Sequence, residues 1–137
     1  MSETKINGAL VSAYLASGVM PQARTAFEGV SFTPPQGQSW ARLTNMPTDR
    51  DKPGLAPSDS SQVTGILQVD LYWPKGSGTG PIIAAANQLL GYFEPHSSVE
   101  YQGQRVKIRR VRRSQIRPGD VWQSVQVDIY YRATVVR

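Results

Sequence analysis

The fold is decided by residues 62–93, which run QVTGILQVDLYWPKGSGTGPIIAAANQLLGYF. The first third alternates apolar and polar residues, which is the two-residue period of a half-buried strand. Glycines and a proline follow, and Pro81 stands where the first residue of a helix is expected. After it, apolar residues recur at the spacing of one helical face: Ile82, Ala86, Leu89 and Phe93. This stretch predicts a strand, a turn and an amphipathic helix that packs on a sheet.

The segments on either side of this stretch supply a second helix and more strands. Apolar residues spaced by three and four predict a helix over about residues 4–19. The long alternation near the C-terminus predicts a strand with one apolar face, and the phase break at Arg109-Arg110 predicts a β-bulge. The predicted strands are 27–32, 40–46, 63–73, 99–101, 105–116 and 121–136. The fold class is therefore α+β, with a mixed, mostly antiparallel sheet packed by two helices.

A polar segment over about residues 47–61 interrupts this pattern. It is rich in Pro, Asp and Ser, and Leu55 is its only large aliphatic residue. Such a segment buries too little apolar surface to offset the entropy lost on ordering, so we expect a long mobile loop. The length of 137 residues predicts a single domain over 1–137, with the core at about 26–136.

Composition excludes several classes of protein. Cysteine is absent and His96 is the only histidine, which excludes disulfides, thiolate catalysis and His-rich metal sites. Asp70 and Asp128 lie on the polar faces of predicted strands, where we expect no raised pKa. We therefore expect no enzyme, metal or cofactor. Because no apolar run approaches the ~20 residues of a membrane span and no signal peptide is visible, we expect a soluble intracellular product.

The glycine-rich turn at Gly76–Gly80 does not form a phosphate-binding loop. A P-loop requires Gly-Lys-Ser/Thr at the helix start, whereas Gly80 is followed by Pro81, which has no amide donor. We interpret the segment as a plain turn, and His96 as a histidine of a surface loop.

The net charge of +5 is concentrated in one segment, residues 105–117, which holds seven basic residues and no acidic one. Three interpretations remain open: an interface between proteins, a solvated strand face and a nucleic-acid surface. In the first, arginines pair with carboxylates of a neighbouring subunit. The candidate interface residues are Asp49, Arg50, Asp51, Lys52 and Asp59 on the loop, and Arg105, Lys107, Arg109, Arg110, Arg112 and Arg113 on the strand.

Residues 62–78, followed by the Ala-rich helix that ends Leu89-Leu90-Gly91-Tyr92-Phe93, resemble the small tail-terminator and minor tail proteins of long-tailed bacteriophages. Trp122 with the run Val125-Gln126-Val127-Asp128-Ile129-Tyr130-Tyr131 is similar to the closing strand of the same family, and residues 103–108 also fit. The resemblance extends over roughly residues 26–134. It consists of a strand, a Pro/Gly turn, a helix and a strand pair, with no catalytic motif.

The resemblance implies an α+β protein that forms a homo-hexameric ring on the head-proximal end of the tail tube. Such a ring stops tube polymerisation and presents the surface that joins the head. The implied partners are the tail tube protein and a head-completion or connector protein, with DNA passing only through the lumen and assembly in the host cytoplasm. The alternatives are a head-closure or neck protein of the same virion and a nucleic-acid-binding module that uses residues 105–117.

Overall fold

The computed structural model describes residues 2–51 and 60–136, with the side chains of 4–48 and 62–135. Two helices and six strands follow one another along these residues, with a short 3-10 turn at Gln22–Arg24 before the first strand. The elements are α1 (Ser2–Ala16), β1 (Thr25–Ala26), β2 (Trp40–Asp51), β3 (Ser60–Pro74), α2 (Gly80–Tyr92), β4 (Ser98–Tyr101), β5 (Gln104–Arg113) and β6 (Trp122–Val136).

The six strands form one mixed sheet in the order β1-β2-β3-β6-β5-β4. β1 pairs with β2 in parallel, and every other neighbouring pair is antiparallel. α1 packs mainly on β4 and β5, and α2 packs on β3, β6 and β5. Both helices contribute to the same hydrophobic core, so they cover one face of the sheet, which we call the inner face. The predicted α+β fold class is confirmed.

The alternation in the two longest strands gives the sheet its two faces. On β6, all six residues of the predicted apolar set are buried: Val125, Val127, Ile129, Tyr131, Ala133 and Val135. On β3, the predicted apolar residues through Leu71 are buried, and Trp73 at the end is half-buried. The opposite, outer face carries Thr64, Gln68, Asp70 and Tyr72 on β3 and Gln126, Asp128, Tyr130 and Arg132 on β6. The predicted face assignments are therefore confirmed.

A glycine is required at position 65 because of the tyrosine that pairs with it on the neighbouring strand. Gly65 pairs directly with Tyr131, and a Cβ at Gly65 would overlap the Tyr131 hydroxyl and lie 2.9 Å from the Met46 carbonyl oxygen. The buried Tyr131 hydroxyl instead reaches over the glycine and donates a 2.6 Å hydrogen bond to Oδ1 of Asn45. Because Asn45 is on β2, the bond ties β6 to β2 across β3.

Two strand boundaries differ from the prediction. No strand forms over 27–32; the shorter β1 pairs with β2 just before it. The Glu28 carboxylate accepts a 2.7 Å hydrogen bond from the Asn45 backbone N–H, and Gly29 turns the chain with a φ of 74°. At this edge of β2, the Glu28 side chain thus accepts the hydrogen bond that a neighbouring strand would otherwise accept. The basic strand ends at Arg113 rather than at 116, because the Gln126 backbone N–H donates to the Ser114 hydroxyl in place of a backbone carbonyl oxygen. The next backbone pairing is an isolated bridge between Arg117 and Ser124.

The predicted loop over 47–61 is too long at both ends. Residues 47–51 extend β2 and residues 60–61 extend β3, with Asp49 opposite Thr64 and Asp51 opposite Gln62. Backbone hydrogen bonds of the ladder hold these polar residues in strands, and burial of apolar side chains is not needed for that. The rest of the predicted loop, 52–59, lies outside the described residues. The predicted bulge in β5 is confirmed by a register shift between Ile108 and Arg110.

Candidate assembly surface

The two groups of predicted interface residues lie on different strands of the sheet. The basic residues are on β5, whereas Asp49, Arg50 and Asp51 form the end of β2, where the structure describes the backbone. Lys52 and Asp59 lie outside the described residues. β3 and β6 stand between the two groups, so β2 and β5 are about 14 Å apart at ~4.8 Å per strand. One chain therefore does not bring the two halves together.

Arg112 forms an ion pair within the chain. Its Nε lies 3.3 Å from Oδ2 of Asp128, the residue directly opposite it on β6. The Asp128 side chain is 8% exposed, and its other oxygen accepts a 2.9 Å hydrogen bond from Nε2 of Gln126. A buried carboxylate needs such partners, since an unpaired buried charge is costly. The Arg112 side chain thus joins β5 to β6 and also contributes to the exposed surface of the sheet.

Two more of the predicted arginines are held by their neighbours. The Arg110 guanidinium lies 4.1 Å from the centre of the Tyr130 ring, a cation–π contact across the strand pair. Nη1 of Arg113 donates a 3.2 Å hydrogen bond to the Ser114 carbonyl oxygen. Arg109 sits at the bulge and is exposed. The basic strand is therefore divided, and its second half is engaged locally.

The first half of β5 lines a basic groove. Arg105 and Lys107 join Lys5 of α1 and Arg132 of β6 around an open groove of about 500 Å³. The other lining residues are neutral: Gln102, Gly103, Gln104, Ala133 and Thr134. Buried Gln104 fixes the groove by donating from Nε2 to the carbonyl oxygens of Thr134 and Arg105, both at 3.0 Å. We call Lys5, Arg105, Lys107 and Arg132 the basic groove.

Sequence reasoning missed two members of this groove. Arg132 is one of several polar residues in the alternating pattern of β6, so its sequence position does not single it out. The register of β6 with β5 places it directly opposite Lys107 and thereby in the groove. Lys5 belongs to a different element, and only the packing of α1 on β4 and β5 places it beside the strand. The available signal was the alternation of β6, which assigns Arg132 to the same face as Asp128.

Asp70 lies on the outer face between β2 and β6. Burial raises the pKa of its carboxyl above the ordinary value; the hydrogen bond from Gln68 and the charges of Arg42 and Arg117 oppose this rise, and Asp128 adds to it. The Gln68 amide nitrogen is 3.4 Å from both carboxylate oxygens. The expectation of an unshifted pKa is wrong for Asp70, because flanking strands shield a residue that alternation alone assigns to a polar face.

An aromatic cluster covers the other end of the outer face. Trp40 stacks on Tyr72 with ring centres 4.1 Å apart, and Phe32 and Trp122 contact it at 5.3 and 6.1 Å. Phe32 thereby holds the irregular segment between β1 and β2 against the sheet. Nε1 of buried Trp40 has no hydrogen-bond partner among the described residues. The cluster packs one end of the outer face, opposite in the sheet to the end that carries the basic groove.

The remaining motifs have no site geometry in the structure. Residues 75–79 form an exposed turn in which the Gly78 carbonyl accepts a 2.6 Å hydrogen bond from Nε2 of Gln123. His96 is exposed, in a loop, with a φ of 71°. Within the described ranges, no group of three or more His, Cys, Asp or Glu side chains is placed to hold a metal ion. Neither helix in this part of the chain has the length and apolar character of a membrane span.

Comparisons with known proteins give a family and a fold. The family model described as "Phage tail terminator protein" matches residues 5–131. A solved structure whose description names no function is similar to this chain with a TM-score of 0.77 and 22% identity. The match covers 100% of this chain and 99% of that one. At this identity the likeness shows the fold alone. No curated protein matches the sequence.

Proposed function

Because the chain belongs to the phage tail terminator family, we propose that it completes the tail by closing as a ring on the head-proximal end of the tail tube. The family makes it a structural component of the virion tail that contacts other tail and virion proteins. In our proposal the ring blocks the surface to which the next tube subunit would bind. Its opposite side then forms the surface that receives the head.

The observation that supports a ring is the separation of charge across the sheet. The end of β2, whose sequence includes Asp49 and Asp51, and the basic residues of β5 are separated by β3 and β6. Contact between unlike surfaces on opposite sides of a subunit is heterologous, and such contacts generate rings when the rotation closes. In our proposal, Arg105 and Lys107 contribute to a contact between neighbouring copies, since Arg110, Arg112 and Arg113 already make contacts within the chain.

We propose six copies in the ring, assembled in the host cytoplasm. The tail tube protein is the partner on one side, and a head-completion or connector protein is the partner on the other. DNA contacts the ring only by passing through its lumen. Both proposed partners present large protein surfaces. The surfaces that this chain exposes are open, as contact with another protein requires.

The proposal is tested by adding the purified chain to polymerising tail tubes. Tube lengths should become limited, and electron microscopy should show six-fold rings at tube ends. A matched control is the Ile129→Asp variant, which places a charge at a fully buried core position and should neither fold nor cap. Unchanged tube lengths with no added density at tube ends would contradict the proposal.

A nucleic-acid-binding module is the second candidate, and the basic groove is the observation that favours it. Phosphate contacts by four cations would make binding fall steeply with salt. A titration of duplex and single-stranded DNA between about 50 and 200 mM salt separates the candidates, because a groove that neutralises several phosphates should lose affinity by orders of magnitude over that range. Tail completion requires no such complex.

A further inference from the structure

We infer that residues 109–113 of β5, which we call the open edge, receive an extended segment of a partner protein in which acidic and apolar residues alternate. The open edge lies beyond the part of β5 that pairs with β4, and its residues do not line the basic groove. The segment adds to the sheet as a further strand, a mode of recognition in which the backbone supplies the pairing and alternate side chains supply the specificity. The inference goes beyond the proposed ring and does not depend on its closure.

β4 covers only the first half of β5. It pairs with residues 104–107, and two more backbone hydrogen bonds extend the cover to Ile108. The Ile108 N–H donates to the Ser97 carbonyl oxygen at 2.8 Å, and its carbonyl oxygen accepts from the His96 N–H at 2.7 Å. His96 lies in the loop between α2 and β4 and has a φ of 71°, so the chain turns where it reaches β5. The open edge is therefore the outermost strand segment at this end of the sheet.

The open edge has backbone groups that an added strand can bond. The Ser114 N–H donates to the Gln126 carbonyl oxygen of β6 at 2.9 Å. Because alternate residues of an antiparallel strand point to the same neighbour, Arg112 also points to β6, whereas Val111 and Arg113 point away from it. No backbone hydrogen bond from another described residue reaches these two on the side away from β6. Each thus supplies an N–H and a C=O to a new strand.

The arginines make the open edge positively charged. Residues 109–113 hold four arginines and no acidic residue, and Asp128 on β6 pairs with one of them, Arg112. That ion pair engages Nε of the guanidinium, and the Arg110 guanidinium lies over the Tyr130 ring. Because an arginine has five N–H donors, both side chains keep donors for a further carboxylate. Their contacts with β6 also hold them in place, which lowers the entropy lost when a ligand binds.

The two faces of the sheet set the pattern of the added segment. Arg110 and Arg112 belong to the outer face, whereas Val111 is half-buried and packs against the core on the inner face. Side chains directly opposite each other on paired strands have Cβ atoms about 4.5–5.5 Å apart. Acidic side chains of the added strand therefore meet the arginines on the outer face, and apolar side chains extend the core beside Val111.

The same features disfavour pairing with the open edge of another copy. Two copies joined in this way would oppose arginine to arginine, and like charges in that position are unfavourable. Charged side chains and bulges, such as the bulge at Arg109, are among the features by which sheet edges resist indiscriminate strand addition. Residues 110–113 follow the bulge in regular register with β6, so a strand of opposite charge can still pair there. The open edge thus selects an acidic strand and excludes a second β5.

Hydrogen exchange followed by NMR tests the inference with a synthetic peptide. The probe is an end-blocked peptide of alternating glutamate and valine, about eight residues long, and its control carries lysine in place of glutamate. At about 1 mM probe, exchange of the Val111 and Arg113 amides should slow by about tenfold or more, since both gain hydrogen-bond partners. The Arg112 amide points to β6 and is the internal reference. The lysine peptide should change none of the three rates.

Further controls separate strand addition from attraction between charges alone. A probe methylated on every peptide nitrogen keeps its carboxylates and loses its donors, so it should bind about tenfold more weakly or worse. Arg113→Pro removes an N–H of the open edge and should also weaken binding by about tenfold relative to Arg113→Ala, which removes the same charge and keeps the N–H. If circular dichroism shows that the proline variant is unfolded, the methylated probe decides, because it requires no variant.

One variant distinguishes the open edge from the basic groove. Lys5→Gln with Arg132→Gln neutralises two groove cations and should bind the probe as the wild type does. Loss of probe binding in this variant would overturn the inference in favour of the groove. Equal binding of the methylated and unmethylated probes, or no protection of the Val111 and Arg113 amides, would overturn it too.

Two other outcomes concern a second copy and the proposed function. Protection of the Val111 and Arg113 amides at rising protein concentration without probe would mean that another copy covers the open edge, and the inference would be wrong. If the wild type limits tail tubes but does not bind the probe, the inference is wrong and the proposed function stands. Probe binding with the expected protection, but without capping of tubes, supports the inference and contradicts the proposed function.

Discussion

Nε of Arg112 and Oδ2 of Asp128 are 3.3 Å apart across neighbouring strands of the outer face. The arginine is 65% exposed and the aspartate 8% exposed, so the pair joins a surface cation to a shielded carboxylate. This ion pair separates a strand that looks uniformly basic into two parts. Arg110 and Arg112 are bound to β6, whereas Arg105 and Lys107 line the basic groove with residues from two other elements.

Arg112→Ala should destabilise the fold by about 1–2 kcal/mol. Hydrogen bonds to charged groups contribute about 1.5–3 kcal/mol, and solvent screening at the exposed arginine lowers that value. Urea denaturation measures the change in the free energy of unfolding. Arg109→Ala, an exposed arginine at the bulge, is the control and should stay within about 0.5 kcal/mol of the wild type. Equal effects in the two variants would mean that the ion pair adds no stability.

Asp70→Asn should stabilise the protein at neutral pH. Burial raises the folded-state pKa of Asp70 above its unfolded value, so the ionised carboxylate is disfavoured in the folded protein. This cost is absent below the unfolded pKa of about 3.9 and develops as the pH rises through the higher folded pKa. The stability difference between the variant and the wild type, measured by urea denaturation, should be largest near pH 7 and shrink towards pH 3.5. A variant less stable than the wild type at pH 7 would contradict this account.

Gly65→Ala should destabilise the sheet by about 1–3 kcal/mol, because the new methyl group overlaps the Tyr131 hydroxyl and forces the strands to move. Gly91→Ala is the matched control. Apart from its chain neighbours and its own helix backbone, no atom of the described residues lies within 4 Å of a Cβ built at Gly91, which is in α2. Alanine is the better helix former, so this control should gain up to about 1 kcal/mol. Thermal unfolding of both variants should therefore show shifts of opposite sign.

Leu67→Ala and Ile129→Ala should each cost about 2–5 kcal/mol, since both side chains are almost fully buried on the inner face. Thr134→Ala changes an exposed residue of the outer face on β6 and should have little effect. Chemical denaturation of the three variants measures the contrast. A cost below about 1 kcal/mol at Leu67 or Ile129 would be incompatible with the assigned faces.

Much of the fold could be predicted because its elements follow local rules. The alternation of β3 and β6, the proline at the start of α2 and the phase break at Arg109-Arg110 each have a physical cause within a few residues. The segment over 27–32 could not be predicted in this way. It has the composition of a strand, but the positive φ of Gly29 turns the chain, and the tertiary contact of Glu28 with the Asn45 backbone holds the turn beside β2.

The candidate site was predictable in composition but not in arrangement. The cluster of basic residues is visible in the sequence, whereas the pairing of Arg112 with Asp128 depends on a register shifted by the bulge. Lys5 is a hundred residues from Arg105 along the chain, and the two meet through the packing of α1. The burial of Asp70 likewise depends on the strands beside it, which no property of its own strand reveals.

The measurement that tests the central claim most directly is the length distribution of tail tubes polymerised with and without the purified chain. The account predicts tubes of limited length that carry a six-fold ring at one end, and no capping by the Ile129→Asp variant. Tubes of unchanged length, with ends identical to those formed without the chain, would contradict it.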